Sequence, residues 1–308
     1  MELQNQTLVK EFILVGFSQN MQICVLFFIA LFLIYYFIIF GNLFLIAAII
    51  ISPKLHVPMY FFLCNLAFID LAFSSSSLPK VLIDIFSIRR TITVTGCMVQ
   101  MYCGRFLGSA ESFLLAVMAY DRYVAISFPL YYNIIMNWKI CMNIIIIMWH
   151  GNFIISVFPF ILRPLEFCRA NKLDHFGCEM LAVLELACGD LTYFRVTMFV
   201  VSLFILVVPL VFIVVSYILI ISSILKIRST GGKSKAFSTC ASHLIVVSMF
   251  YGTSISMYVG EKKSFSSDLK YFSLIYGYMI PVLNPFIYSL RNNDVKQAFQ
   301  KMFGKAWH

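Results

Sequence analysis

Apolar residues fill long stretches of this chain, and short polar segments divide them. Seven runs stand out, over residues 23–51, 58–86, 95–126, 140–162, 196–225, 236–259 and 271–290. Each meets the ~20 residues with which an α-helix, rising ~1.5 Å per residue, crosses a hydrocarbon core of about 30 Å. Pro209, Pro281 and Pro285 lie inside runs. A membrane helix tolerates them because neighbouring helices and side chains satisfy the carbonyls they free. The pattern predicts an all-α membrane protein, a seven-transmembrane helix bundle. No internal repeat is visible, and a single domain is expected over 1–308: a polar lead over 1–22, the bundle over 23–290 and a tail over 291–308. In the tail, Val295, Ala298, Phe299, Met302 and Phe303 share one helical face, with Lys296, Lys301 and Lys305 elsewhere. That spacing predicts a short amphipathic C-terminal helix on the membrane surface.

Composition points the same way. The 308 residues are 61% hydrophobic and 12% charged, with a mean hydropathy of +0.90. A typical soluble domain is about 45–50% apolar and about 25% charged. This chain would solvate too little of itself as a soluble globule, so a membrane class is required. The net charge of +9 comes from bases scattered through short loops rather than one stripe. Membrane lipid is therefore an expected partner and nucleic acid is not. The lead is polar and mixed, and the first run is far longer than a signal-peptide core. No cleavable signal peptide is expected; the first run serves as an uncleaved anchor.

Five of the nine cysteines, Cys24, Cys64, Cys103, Cys141 and Cys240, lie within or at the edges of runs, where they read as small hydrophobes. Cys97, Cys168, Cys178 and Cys188 flank polar loops. They predict two disulfides in an oxidising compartment, and spacing alone leaves all three pairings open. Asn5-Gln6-Thr7 fits the N-glycosylation acceptor pattern. Lys and Arg are similar in number on the two sides, so the positive-inside rule does not orient the bundle. The acceptor at Asn5 and the cysteine-bearing loop both require the non-cytoplasmic face. The expectation is a multi-pass plasma-membrane protein with its N-terminus extracellular and its C-terminus cytoplasmic.

Ionisable residues inside such runs are costly and read as functional. Asp121-Arg122-Tyr123 closes the third run, either as a charged membrane stop or as a switch that releases the arginine to a second partner. Asp70 and Glu111 lie deeper, and with Asn42 and Asn284 they predict one polar cluster at mid-depth. It could hold water, a proton or a sodium ion at Asp70 and Glu111, or serve as neutral glue between helices. A switch is favoured over an ion path, because the repeated halves and paired broken helices of transporters are absent from the sequence. Asn284-Pro285-Phe286-Ile287-Tyr288 predicts a bend near the end of the seventh run that lets Tyr288 reach toward Arg122 and Tyr217.

The motifs now form a series. In order along the chain come Pro58-Met59-Tyr60-Phe61-Phe62-Leu63, Met118-Ala119-Tyr120-Asp121-Arg122-Tyr123-Val124-Ala125-Ile126, Ser216-Tyr217, Lys235-Ala236-Phe237-Ser238-Thr239-Cys240-Ala241-Ser242-His243-Leu244 and Pro281-Val282-Leu283-Asn284-Pro285-Phe286-Ile287-Tyr288-Ser289-Leu290-Arg291-Asn292. Together they resemble a class A G-protein-coupled receptor, specifically an odorant (olfactory) receptor, over nearly the whole chain. The segment from Lys235 to His243 distinguishes odorant receptors within that class. Asp174-His175-Phe176-Gly177-Cys178-Glu179 resembles the class II subgroup. Two positions depart from the family: Ser127 and Tyr131 stand where a Cys and a His are usual, which puts the contacts of the second inner loop in doubt.

The resemblance implies disulfides Cys97–Cys178 and Cys168–Cys188, no cofactor, and a ligand-gated receptor that is not an enzyme. Its partners would be a small volatile odorant and a heterotrimeric stimulatory G protein that raises cAMP. Arg122 would meet that G protein, with Asp121, Tyr123, Tyr217, His243, Asn284, Pro285 and Tyr288 forming the switch around it. The odorant would lie under the second outer loop. The third run offers Gly104, Arg105, Gly108, Ser109 and Ser112, grouped on helical spacing. The fifth offers Val201, Ser202 and Ile205; the sixth, Tyr251, Ser254, Ile255 and Tyr258; the seventh, Leu274 and Tyr278. Glu179 and Met180 would form the lid. Arg105 either anchors a polar odorant, snorkels outward, or pairs with Glu179, Glu185 or Asp190. A channel or transporter using Asp70, Glu111 and Arg105 is the competing class. An enzyme ranks behind both, since no nucleophile–base pair or metal-ligand spacing occurs at membrane depth.

Overall fold

The computed structural model describes residues 9–18, 20–163, 165–168, 171–226, 229–259 and 267–290, with 295, 297, 298 and 300. Seven long helical spans follow the seven apolar runs. The first, α1 (Met21–Ile51), starts at Asn20, whose side-chain oxygen accepts from the Gln22 N–H at 2.9 Å. This satisfies one of the donors that a helix start leaves open. A 3-10 turn over Pro53–Leu55 leads to α2 (Pro58–Phe86), which opens on a proline where no N–H is needed. The third, α3 (Val94–Ser127), is capped by Thr93 on the Gly96 N–H at 3.1 Å. A short α4 (Tyr132–Ile135) then leads to α5 (Trp138–Ser156), capped by Asn137.

The fourth run does not form one unbroken helix. The chain turns at Val157 and resumes as α6 (Phe158–Ile161). Pro159 offers no N–H to a carbonyl four residues back, so the ladder is interrupted there. After a second short helix, α7 (Met180–Leu184), come α8 (Thr192–Lys226), α9 (Thr230–Val259) and α10 (Ser267–Leu290).

Among the described residues, four spans are apolar enough to cross a membrane by length and composition: Met21–Ile51, Pro58–Phe86, Trp138–Ile161 and Thr192–Lys226. Large apolar side chains such as Leu26, Phe199 and Ile147 face outward on these helices, as hydrocarbon surroundings require. Inside, close approach and polar glue join the helices. A Cβ on Gly41 of α1 would lie 3.0 Å from the Pro285 ring of α10, so only glycine permits that spacing without a shift. Asn152 of α5 donates to the Phe106 carbonyl at 2.8 Å and accepts from the Ser109 hydroxyl of α3 at 2.6 Å.

The lead is not simply polar, contrary to the expectation from the sequence. Glu11–Leu14 forms β1, the central strand of a three-stranded sheet. It pairs antiparallel with β2 (Thr91–Thr93), setting Phe12 opposite Ile92, and parallel with β3 (Lys172–Leu173), setting Leu14 opposite Leu173. Phe12 and Leu14 point the same way and are 0% and 1% exposed, so this short alternating segment buries one face. Phe12 packs edge-on against Phe167, and Phe17 against Phe176. The sheet closes one end of the bundle. The acceptor at Asn5 lies outside the described residues, as does most of the tail. The tail residues Val295 and Ala298 are helical and buried against the core.

Candidate functional site

Below the sheet lies a cavity of about 310 Å³. Its ceiling is the segment from His175 to Met180, held to α3 by the Cys97–Cys178 disulfide with Cα atoms 5.3 Å apart. Cys168 and Cys188 form the second bridge, 6.0 Å between Cα atoms. Gln100 fixes the same segment by accepting from the Cys178 N–H at 2.9 Å and donating to the Ser76 carbonyl of α2.

Of the residues expected at a pocket, Gly104, Arg105, Gly108, Ser109, Glu179, Met180, Ser202, Ile205, Ser254, Leu274 and Tyr278 line this cavity. Four others do not. Ser112 and Tyr251 bond each other at 2.8 Å below it, and Ser112 also donates to the Ile205 carbonyl. Val201 is buried away from the cavity, and Ile255 is 42% exposed on the outer surface of α9, where its helical angle turns it from the core. The Tyr258 side chain lies outside the described set. Unanticipated walls come from α2, where Phe73, Ser76 and Ser77 face the cavity, and from Phe250 and Thr253 of α9. A run of four serines over 74–77 inside an apolar helix was the available sequence signal for the α2 wall.

Arg105 neither snorkels nor extends freely. Its Nε donates to the Ser156 carbonyl at 2.8 Å, and its guanidinium lies 4.4 Å from the Phe160 ring centre. The break between α5 and α6 supplies that carbonyl, because the helix ends there. The lining hydroxyls are largely engaged: Ser76 with the Phe73 carbonyl, Ser77 with Tyr278, Ser109 with Asn152, and Thr253 with the Met249 carbonyl.

Glu179 caps α7, accepting from the Leu181 and Ala182 N–H groups at 2.8 and 3.1 Å. Burial pushes its carboxyl up to about 7 from 4.5, opposed by those N–H groups and aided by Glu185. The folded protein thus binds this proton more tightly than the unfolded chain does. Its contribution is fully present below 4.5 and is lost as pH rises to about 7. The melting temperature should accordingly be higher near pH 5.5 than near pH 8, and Glu179→Gln should shrink that gap in a thermal melt of purified protein.

At the cavity floor the polar cluster assembles. Asn284 donates to the Asp70 carboxylate at 2.9 Å. Pro285 cannot donate to the Pro281 carbonyl, and Asn42 of α1 takes that carbonyl at 3.1 Å. Buried oxygens of Asn42, Asp70, Ser74, Glu111 and Asn284 remain without a hydrogen-bond partner. Among the described residues, no three His, Cys, Asp or Glu side chains converge as a metal site.

At the far end of the bundle, Tyr217, His243 and Tyr288 surround Arg122, and all four are buried. His243 lies 3.1 Å from the Leu115 carbonyl through Nε2, which must therefore carry the proton. Its Nδ1 then accepts from the Tyr217 hydroxyl at 2.9 Å. Among the described residues Lys80 and Asp84 form an ion pair, and Asp121 and Arg122 do not. Asp121 instead accepts from the Tyr132 hydroxyl of α4 at 2.7 Å, a contact the sequence did not suggest. Tyr123 packs edge-on against Phe128. Ser127 has found its own partner, bonding Ser223 of α8 at 2.7 Å, while Tyr131 is exposed.

Comparison with known proteins agrees with this arrangement. The olfactory receptor family pattern matches residues 31–306. The chain is similar to human (Homo sapiens) olfactory receptor 13C9, 46% identical with 98% of each chain covered. It is also similar to human olfactory receptor 13C2, 44% identical over 100% of this chain and 99% of the relative. Mouse (Mus musculus) olfactory receptor 1E16 is 43% identical, with 98% and 97% covered. These relatives are receptors and not enzymes. The motifs, the seven helical spans and the matches over nearly the full length together make this chain a member of the olfactory receptor family, multi-pass G-protein-coupled receptors of the membrane.

Proposed function

We propose that the chain binds a small volatile odorant in the cavity beneath the sheet and activates a stimulatory G protein through Arg122, raising cAMP. The observation that carries this reading is that one helix, α3, serves both ends. It lines the cavity from Met101 to Glu111 and presents Arg122 at the opposite end, beside the Tyr217–His243 pair. A ligand that fits the cavity better when α3, α8 and α9 are rearranged shifts the population toward that arrangement. The sheet end then faces outside and the Arg122 end faces the cytoplasm, with plasma-membrane lipid around the bundle.

The orphaned oxygens at Asp70 and Glu111, with Asn284, form an all-oxygen set that suits water or a sodium ion. Such a cluster holds α2, α3 and α10 in one register until the helices shift. The test is an odorant panel in a cAMP reporter assay, run in parallel in cells lacking the stimulatory G protein. A response that persists without the G protein, or an ion current in its place, would sink the reading.

Arg105 is expected to act on ligand binding by fixing the cavity wall as well as by its charge. Arg105→Ala frees the Ser156 carbonyl and the Phe160 face, and agonist potency should drop by about tenfold with surface display retained. Unchanged responses to every agonist would remove Arg105 from the site.

A further inference from the structure

Two hydroxyls in the cavity wall hold one proton more than they use. Ser77 of α2 and Tyr278 of α10 both line the cavity, and their oxygens lie 2.5 Å apart. Among the described residues these two side chains hydrogen-bond only each other. Each hydroxyl carries a single proton. If Ser77 donates, the Tyr278 proton is spare; if Tyr278 donates, the Ser77 proton is spare. A helical serine often gives its proton to the carbonyl four residues back. For Ser77 that carbonyl belongs to Phe73, and the Ser76 hydroxyl already takes it at 2.7 Å. Ser109 and Thr253, by contrast, spend their protons on Asn152 and the Met249 carbonyl. The wall offers donors on other sides too, from Arg105, Ser202 and Ser254. The pair differs in that its two hydroxyls polarise each other, which strengthens the outer proton as a donor.

The pair also stands apart from the polar cluster. Ser77 lies seven residues after Asp70 on α2, and Tyr278 lies six residues before Asn284 on α10. At ~1.5 Å per residue, each interval is about 10 Å of helix. The antiparallel helices are thus tied by two rungs, Asp70–Asn284 below and Ser77–Tyr278 above. Of the two, the upper rung lines the cavity. Its spare proton has no acceptor until a ligand brings one, and leaving such a group unmatched is what makes a buried site discriminate.

We infer that the Ser77–Tyr278 pair is the head-group site for an odorant with a carbonyl oxygen: a ketone, an aldehyde or an ester. The inference rests on the cavity being the ligand site. A carbonyl oxygen takes the spare proton and brings no proton of its own to be matched. Phe73 packs on Tyr278 with ring centres 5.9 Å apart and supplies an apolar flank for the rest of the ligand. A volume of about 310 Å³, at ~30 Å³ for each water-sized atom, admits a ligand of roughly ten non-hydrogen atoms. Because the pair joins α2 to α10, a ligand that completes it grips both helices at once.

The test uses full-length receptor purified in detergent and read by thermal shift, with octan-2-one and 2-methyloct-1-ene as probes. The two match in size and shape, and only the ketone has an acceptor oxygen. The ketone should stabilise the protein at about tenfold lower concentration than the alkene. In the double variant Ser77→Ala with Tyr278→Phe the two probes should reach parity. Removing both partners strands no polar atom, so this variant should melt near the temperature of the unsubstituted protein. Should it not fold, the two single variants are read by infrared spectroscopy with octan-2-one carrying carbon-13 at its carbonyl. A phenol donates more strongly than an alkyl alcohol, so the bound carbonyl stretch should lie lower in Ser77→Ala than in Tyr278→Phe. Equal potency of ketone and alkene would overturn the inference alone. So would a ketone preference that survives in the double variant, or identical stretches in the two single variants. Binding of neither probe would overturn it together with the cavity reading. Ketone-selective binding with no cAMP response in cells would uphold it and count against the signalling reading instead.

Discussion

An Arg122→Ala receptor is expected to reach the cell surface and to give no agonist-dependent cAMP rise. The structure explains both halves. Arg122 is buried beside Tyr217, His243 and Tyr288, yet it forms no ion pair with Asp121. Its removal therefore leaves no acid stranded, because Asp121 is already held by the Tyr132 hydroxyl. Truncation usually destabilises strongly when it abandons a buried charged partner, and here that penalty of about 3–5 kcal/mol does not arise. What disappears is the one cation at this end of α3 that a G-protein segment could meet once Tyr217 and His243 part. Dose–response curves in a reporter line, normalised to surface immunostaining, check the result. A preserved cAMP rise at normal surface level would remove Arg122 from the coupling step.

The second large effect is expected at Gly16, which does not itself line the cavity. A Cβ at this position would lie 2.7 Å from the His175 carbonyl carbon and 2.8 Å from its oxygen. Both are backbone atoms, so no flexible side chain can yield. Gly16→Ala must push the segment from His175 to Cys178 downward, and that segment is the cavity ceiling. Overpacking of this kind costs about 1–3 kcal/mol, and agonist potency should fall by about tenfold or more with a lowered melting temperature. Gly151→Ala is the matched control. A Cβ there meets nothing within 4 Å, and alanine is favoured over glycine inside a helix by about 1 kcal/mol. Normal potency in Gly16→Ala would show that the ceiling does not depend on the lead.

The helices were legible because each apolar run had to be about a bilayer long, and the ends fell within a few residues where Asn20, Pro58, Thr93 and Asn137 stop or start a ladder. The break at Val157 was not, although Pro159 was visible: a membrane helix often absorbs a proline, and only packing decides whether it continues. Motif spacing located Tyr217, His243 and Tyr288 around Arg122, since three helices ending at one depth have little choice. The partner of Asp121 was missed because Tyr132 sits in a loop whose family pattern is disturbed at Ser127 and Tyr131. On the cavity wall, helical spacing placed Gly104, Arg105, Gly108 and Ser109 together but could not fix rotation about α9. That is why Ile255 faces outward and Thr253 inward. The strand at Glu11–Leu14 was hidden for a different reason: four residues carry too little periodicity, and their partners lie in two separate loops.

That strand also constrains the order in which the protein can be completed. Glu11 of β1 meets the Asn171 side chain across 160 residues of sequence. At a synthesis rate of about 5–20 residues per second, β3 is made roughly 10–30 s after β1. During that interval Phe12, Leu14 and Phe17 have no β3 to cover them. The strand described earliest in the chain is thus among the last to find its place. A nascent chain halted before Lys172 carries an open, sticky end, where a holding chaperone has the most to do.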